Sequence, residues 1–105
     1  MQFRSIYVTT ASVEEAQRIG RALLEERLVA CVNILPEALS LYRWEGAVQE
    51  DKETVFFAKT RADLADAAIA RIGELHGYTV PCAQALPIEA GNADYLRWIA
   101  EETRD

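Results

Sequence analysis

The chain has only two cysteines, Cys31 and Cys82, and a single histidine, His76. Two thiols are too few for a disulfide scaffold. One histidine beside them does not complete a zinc site, which takes about four ligands. No apolar run approaches the roughly 20 residues that span a bilayer, so no membrane partner is expected. Positive charge is scarce: 11 Lys and Arg stand against 17 Asp and Glu, for a formal net charge of -6. A nucleic-acid backbone needs clustered cations, and the only local grouping is Arg18, Arg21 and Arg27, so no nucleic-acid partner is expected either. Cations are the more natural counterions of such a surface. Also missing are a Gly-rich phosphate loop, a dinucleotide fingerprint, a paired-histidine metalloprotease motif and Cys-x-x-Cys. His76 has no obvious serine nucleophile beside it, so a non-enzymatic protein is expected. The chain runs from Met1-Gln-Phe-Arg-Ser straight into a strand pattern without a secretory signal, and the reading is a reducing, cytoplasmic setting.

What is present is apolar and strand-rich. Half of the 105 residues are hydrophobic, which suits a single domain over residues 1–105 with a modest core. The stretch from Leu28 to Thr60 is dominated by β-branched and aromatic residues, with Glu45-Gly46 near its middle as a tight turn. Each arm of that hairpin has about fifteen residues, or about 50 Å of strand if unbroken. A domain of this length is only about 30 Å across, so part of the hairpin must project. The projecting part carries Leu39, Leu41, Tyr42, Trp44 and Val48, which would be sticky if left alone. Pro36 cannot donate to a ladder and predicts a bulge or break.

Around the hairpin, Phe3 to Thr10 reads as a strand with Ile6 and Val8 on one face and Tyr7 on the other. Ser12-Val-Glu-Glu15 fits a capping box that opens a helix with Ala16, Ile19, Leu23 and Leu24 inward. Thr60-Arg-Ala-Asp63 is expected to open a second helix with the stripe Leu64, Ala68, Ile72, Leu75, stopped by Gly77. Val80 to Ile88 reads as a strand held to an edge by Pro81 and Pro87. Asn92 caps a last helix with Tyr95, Leu96 and Ile99 inward. The order β-α-β-β-α-β plus a helix is the split βαβ pattern of an α+β, ferredoxin-like sandwich. Its two helices cover one sheet face, and the bare second face joins the overlong hairpin in predicting a homo-oligomer.

Candidate site residues are few. His76 ends the second helix, where it either caps last-turn carbonyls or serves as a metal ligand. Cys82 lies six residues on, across a turn, and His76 with Cys82 would suit Cu(I) or Zn(II). Cys31 joins them only if the fold or a neighbouring subunit brings it near, and is otherwise a small buried hydrophobe. Lys59 reads either as a snorkelling edge residue or, if it converges with His76 and Tyr78 where strand and helix ends meet, as a ligand for a small anion, and the convergence is the expectation. Glu45, Glu50, Asp51 and Glu53 gather along the hairpin as a solvated edge or a weak cation site.

Ala30-Cys-Val-Asn33, Tyr42-Arg-Trp-Glu-Gly46, Lys59-Thr60, Leu75-His-Gly-Tyr78 with Val80-Pro81, and Tyr95-Leu-Arg-Trp-Ile99 occur in order at fitting distances. Together they resemble the CutA family of divalent-cation tolerance proteins over nearly the whole chain. The resemblance implies a ferredoxin-like fold and a homotrimer built through the long hairpins, similar in architecture to the PII signalling proteins. It also implies tolerance of copper and other divalent ions, with metal binding as a family property. The alternative it leaves open is a PII-like sensor with a small anionic metabolite between subunits, touching Lys59 and His76. Three positions depart from the family pattern: Gly77 stands for its Pro, Cys82 for its Glu and Ala47 for its Lys. A thiol in place of a carboxylate shifts any site there toward softer ions.

Overall fold

The computed structural model describes residues 1–104. Its elements are β1 (Phe3–Thr10), α1 (Val13–Glu25), β2 (Cys31–Trp44), β3 (Ala47–Arg61), a 3-10 turn (Ala62–Leu64), α2 (Ala65–Leu75), β4 (Ala83–Ile88) and α3 (Ala93–Glu102). The strands form one antiparallel sheet in the order β2-β3-β1-β4. This is the expected ferredoxin-like arrangement, with β1 and β3 central and the Pro87-bearing β4 at an edge.

The core lies between one sheet face and the helices α1 and α2. Alternation along β1 and β3 turns Ile6, Val8, Phe56 and Ala58 inward, where they meet Ala16, Ile19, Leu23, Ala68 and Ile72, all fully buried. Gly20 lets α1 approach β2 closely, since a Cβ there would stand 3.1 Å from a Val32 methyl. Ser12 caps α1 by accepting from the Glu15 N–H at 3.1 Å. Glu15 reaches back to the Ala11 N–H at 3.0 Å, one residue before the usual capping-box donor. The helix ends with the Leu28 N–H on the Leu23 carbonyl and the Arg27 N–H on that of Leu24, the Schellman pattern. Arg27 takes the left-handed position with φ 58°.

The hairpin is as long as its composition requires. Its arms have 14 and 15 residues, and the molecule measures 44 × 25 × 22 Å. Glu45 and Gly46 both have positive φ, 50° and 81°, the signature of a type I′ turn matched to strand twist. Leu35 pairs with Val55 but Ala38 with Glu53, so β2 holds one surplus residue at Pro36-Glu37. The Thr54 hydroxyl donates to the Pro36 carbonyl at 2.8 Å and satisfies the bulge.

Four local expectations need correction. Thr60 and Arg61 remain in β3, and the Thr60 hydroxyl donates to the Leu28 carbonyl at 2.6 Å instead of capping a helix. α2 therefore begins at Ala65 after the 3-10 turn. Gly77 does not stop it: His76 already leaves with extended backbone, φ -77° and ψ 144°, and Gly46 is the one glycine with positive φ among the described residues. β4 starts at Ala83, not Val80. Tyr95 and Leu24 are not in the core, since Tyr95 stacks on Trp98 at 5.7 Å and remains 40% exposed and Leu24 lies at the surface.

Candidate functional site

The bulge decides which side chains meet. Cross-strand partners share a face, so before the bulge the odd residues Cys31, Asn33 and Leu35 lie with Val55, Phe57 and Lys59, away from α1 and α2. The surplus residue reverses that parity. Beyond it, the even residues Ala38, Ser40 and Tyr42 oppose Glu53, Asp51 and Gln49, and Trp44 follows on the same face. Tyr7 and Thr9 of β1 also point to this face, opposite to Ile6 and Val8.

The result is a cleft of about 670 Å³ between the hairpin, β1 and the segment that leads into β4. Tyr7, Thr9, Leu41, Tyr42, Trp44, Glu53, Tyr78, Val80 and Cys82 line it with Ser40, Gly77 and Thr79. The Tyr78 hydroxyl donates to Glu53 Oε2 at 2.8 Å, and that of Tyr42 donates to Asp51 Oδ2. Burial first, and then the Glu53 bond, pushes the Tyr78 hydroxyl far above its ordinary pKa. The Asp51 bond raises that of Tyr42. Both phenols thus stay protonated as donors.

His76 holds the cleft wall from beneath. Its side chain is fully buried. Nε2 lies 2.7 Å from the Thr9 carbonyl oxygen, and Nδ1 accepts the Tyr78 N–H at 3.1 Å. A carbonyl only accepts and an amide N–H only donates, so the ring carries its proton on Nε2. The Glu15 carboxylate, 12% exposed, stands 3.9 Å from Nδ1. Its Oε2 accepts the Gly77 N–H at 2.8 Å. A Cβ at position 77 would fall 2.8 Å from that oxygen, so glycine permits the approach. Burial opposes the charge on Glu15, but the Ala11 and Gly77 N–H bonds, with His76 and Arg18, hold its carboxyl below the usual range.

The predicted site residues do not all come together. Tyr78 and Cys82 share the cleft, whereas Lys59 lies six positions along β3 from Glu53, or about 20 Å of strand. Lys59 donates instead to the Asn33 side-chain oxygen, which also takes the Cys31 thiol at 3.5 Å. The expected meeting of Lys59, His76 and Tyr78 is corrected to a pair, His76 and Tyr78, with ring centroids 4.7 Å apart. Cys31 starts edge strand β2 and Cys82 precedes the opposite edge β4, so these two thiols are not near each other. Tyr95 of α3 lies against Cys31, and burial together with that thiol raises the Tyr95 pKa. Both nitrogens of His76 are engaged, which leaves no lone pair for a metal and no role as a last-turn cap. Among the described residues no three His, Cys, Asp or Glu side chains gather as a metal site, and no helix is long and apolar enough to cross a membrane. The sequence reads Glu15 as part of a cap and Tyr42 and Trp44 as projecting hairpin residues, and does not anticipate their places beside His76 and in the cleft wall. The proline that marks the bulge was the available signal for the second.

Residues 4–102 match the family described as CutA1 divalent ion tolerance protein. The chain is 47% identical over 98 residues to the divalent-cation tolerance protein CutA of Thermus thermophilus, covering 93% of this chain and 95% of the relative. Longer plant and mammalian relatives match over about half their own length, 56% for a chloroplastic rice protein and 54% for a human one. The fold is similar to the crystal structure of CutA1 from Oryza sativa, with a TM-score of 0.96 at 41% identity over 100% of this chain and 96% of that one. It is also similar to the periplasmic divalent cation tolerance protein CutA from Archaeoglobus fulgidus, with a TM-score of 0.92 at 40% identity over 95% of this chain and 97% of that one.

Proposed function

Because the chain belongs to the family of CutA1 divalent ion tolerance proteins, we propose that it acts as a homotrimer that binds divalent ions, copper among them, without catalysing a reaction. The observation that carries this reading is a half-built cleft. Cys82 and Glu53 face one opening, rimmed by the exposed hairpin residues Leu41, Tyr42 and Trp44. Among the described residues a single chain offers two donors there and no third, and copper or zinc wants more. The remaining ligands come from neighbouring copies whose hairpins cover those apolar side chains. Each large side chain so buried contributes roughly 1.5–3 kcal/mol to association. The protein works in the cytoplasm, a point that cell fractionation checks directly.

The alternative of a sensor for an anionic metabolite has less support. No Lys or Arg lines the cleft among the described residues, and Lys59 is remote from it. Sedimentation of the protein should give three times the chain mass. Calorimetric titration with copper and zinc should then show binding that Cys82→Ser weakens by about tenfold or more, the usual scale for a lost metal contact. Unchanged isotherms for Cys82→Ser would remove this site. His76→Ala should act through folding alone.

A further inference from the structure

Between the end of α2 and the start of β4 the chain runs from His76 to Cys82 without helix or strand. Its hold on the body of the fold is narrow. Among the described residues, the backbone N–H groups of Gly77 and Tyr78 are the ones in residues 77–82 that find a partner, and both partners are titratable side chains. Gly77 donates to Glu15 Oε2 at 2.8 Å and Tyr78 to His76 Nδ1 at 3.1 Å. Glu15 Oε2 and His76 Nδ1 also face each other, 3.9 Å apart.

The ring of His76 is fixed on its other side. Thr9 lies one residue beyond Val8, which with Ala83 forms the last pair joining β1 to β4. The Thr9 carbonyl takes the ring Nε2–H where a further strand residue would otherwise serve it. A second proton can therefore enter only at Nδ1. There it would meet the Tyr78 N–H donor against donor, and that bond must break. Glu15 is the acceptor left beside it. Burial works against the charge of Glu15, yet its Ala11 and Gly77 N–H bonds hold the carboxyl below the ordinary range, so it is ionised wherever a histidine titrates. The remaining titratable groups nearby are engaged elsewhere. Arg18 on α1 lies 3.7 Å from the same Glu15 oxygen, Glu53 on β3 takes the Tyr78 hydroxyl, and Glu74 on α2 pairs with Arg71. On β1, Tyr7 packs edge-on against Phe57 and Arg4 lies at the far end, while β4 has no charged residue.

We propose that His76 is a proton-operated latch: a proton taken at Nδ1 transfers the ring from the Tyr78 N–H to Glu15 and releases residues 77–82 from the body of the fold. The inference goes beyond the metal reading and is tested on metal-free protein, so the two fail separately. His76 is the single histidine, so the ring-nitrogen resonances of the isotope-labelled, assembled protein are unambiguous. Histidine changes charge between about pH 8 and about pH 5. At the upper end the ring should show one neutral tautomer with its proton on Nε2. At the lower end both nitrogens should be protonated. Over the same titration the Tyr78 amide should lose about tenfold of its protection from exchange, corrected for the intrinsic effect of pH, the scale of one lost hydrogen bond. Glu15→Gln should lower the proton affinity of His76 about tenfold. His76→Gln should leave Tyr78 protection level across the range. Thermal midpoints and sedimentation confirm that each variant is folded and assembled. A ring that stays neutral throughout overturns the proposal, as does one that charges while Tyr78 protection holds. An unchanged titration in Glu15→Gln, or a pH-dependent loss of protection that persists in His76→Gln, overturns it too.

Discussion

The inner and outer halves of β3 belong to one continuous strand and differ in both composition and surroundings. From Thr54 to Thr60 the strand is buried or half-buried, and from Ala47 to Lys52 it is exposed throughout. The change falls where β1 ends, because Thr10 is the last residue of β1 to pair with β3, opposite Thr54. Inside that boundary β3 has a strand on each side and two helices beneath. Outside it β3 has only β2, and Leu41 and Val48 stand 63% and 65% exposed. One strand thus divides its labour: the inner half stabilises the chain, and the outer half is the exposed surface on which the proposed homotrimer would rest.

The sharpest way to break the inner half is Phe56→Ala, which empties the centre of the core. It should cost about 3–5 kcal/mol and unfold much of the population, as read by denaturant melts. Glu15→Gln comes next, since one amide oxygen cannot serve the Ala11 and Gly77 N–H groups as a carboxylate does. A loss of about 1–3 kcal/mol at neutral pH is expected. The sign with pH follows from the lowered pKa of Glu15. Its contribution is present above the ordinary carboxylate value of about 4.3 and is lost as pH falls through the lower folded value. Acid titration of stability should therefore flatten in the variant. Gly46→Val, at a position with φ 81°, should cost of order 1–3 kcal/mol confined to the outer ribbon, with exchange of hairpin amides as the readout. The smallest effect on the chain itself is that of Leu41→Asp, within about 0.5 kcal/mol. That same change should lower the sedimenting mass. A Leu41→Asp protein that sediments unchanged would erase the contrast between the halves.

Much of this was legible in residue order. Glu45-Gly46 named its turn, Pro36 its bulge, and Ser12 and Asn92 their caps, because each is decided within a few residues. The overlong arms announced themselves by length against the size of the domain. The site was less legible because it depends on register. His76 finds its acceptor on Thr9, 67 residues away, and nothing near position 76 specifies a partner at such a separation. The gap between Lys59 and Tyr78 follows from Tyr78 bonding at Glu53, a pairing that only the assembled sheet defines. Thr60 looked like a helix opener until the Leu28 carbonyl claimed its hydroxyl.

The surplus residue at Pro36-Glu37 works like a change of reading frame in three dimensions. Removing it would roll the distal ribbon over by one pleat, turning Arg43 toward the cleft face and Tyr42 and Trp44 to the far side. A single-codon deletion would thereby trade two of the four aromatic side chains lining the cleft for a basic one while every core side chain stayed where it is. Descent could revise what this protein holds without renegotiating how it folds.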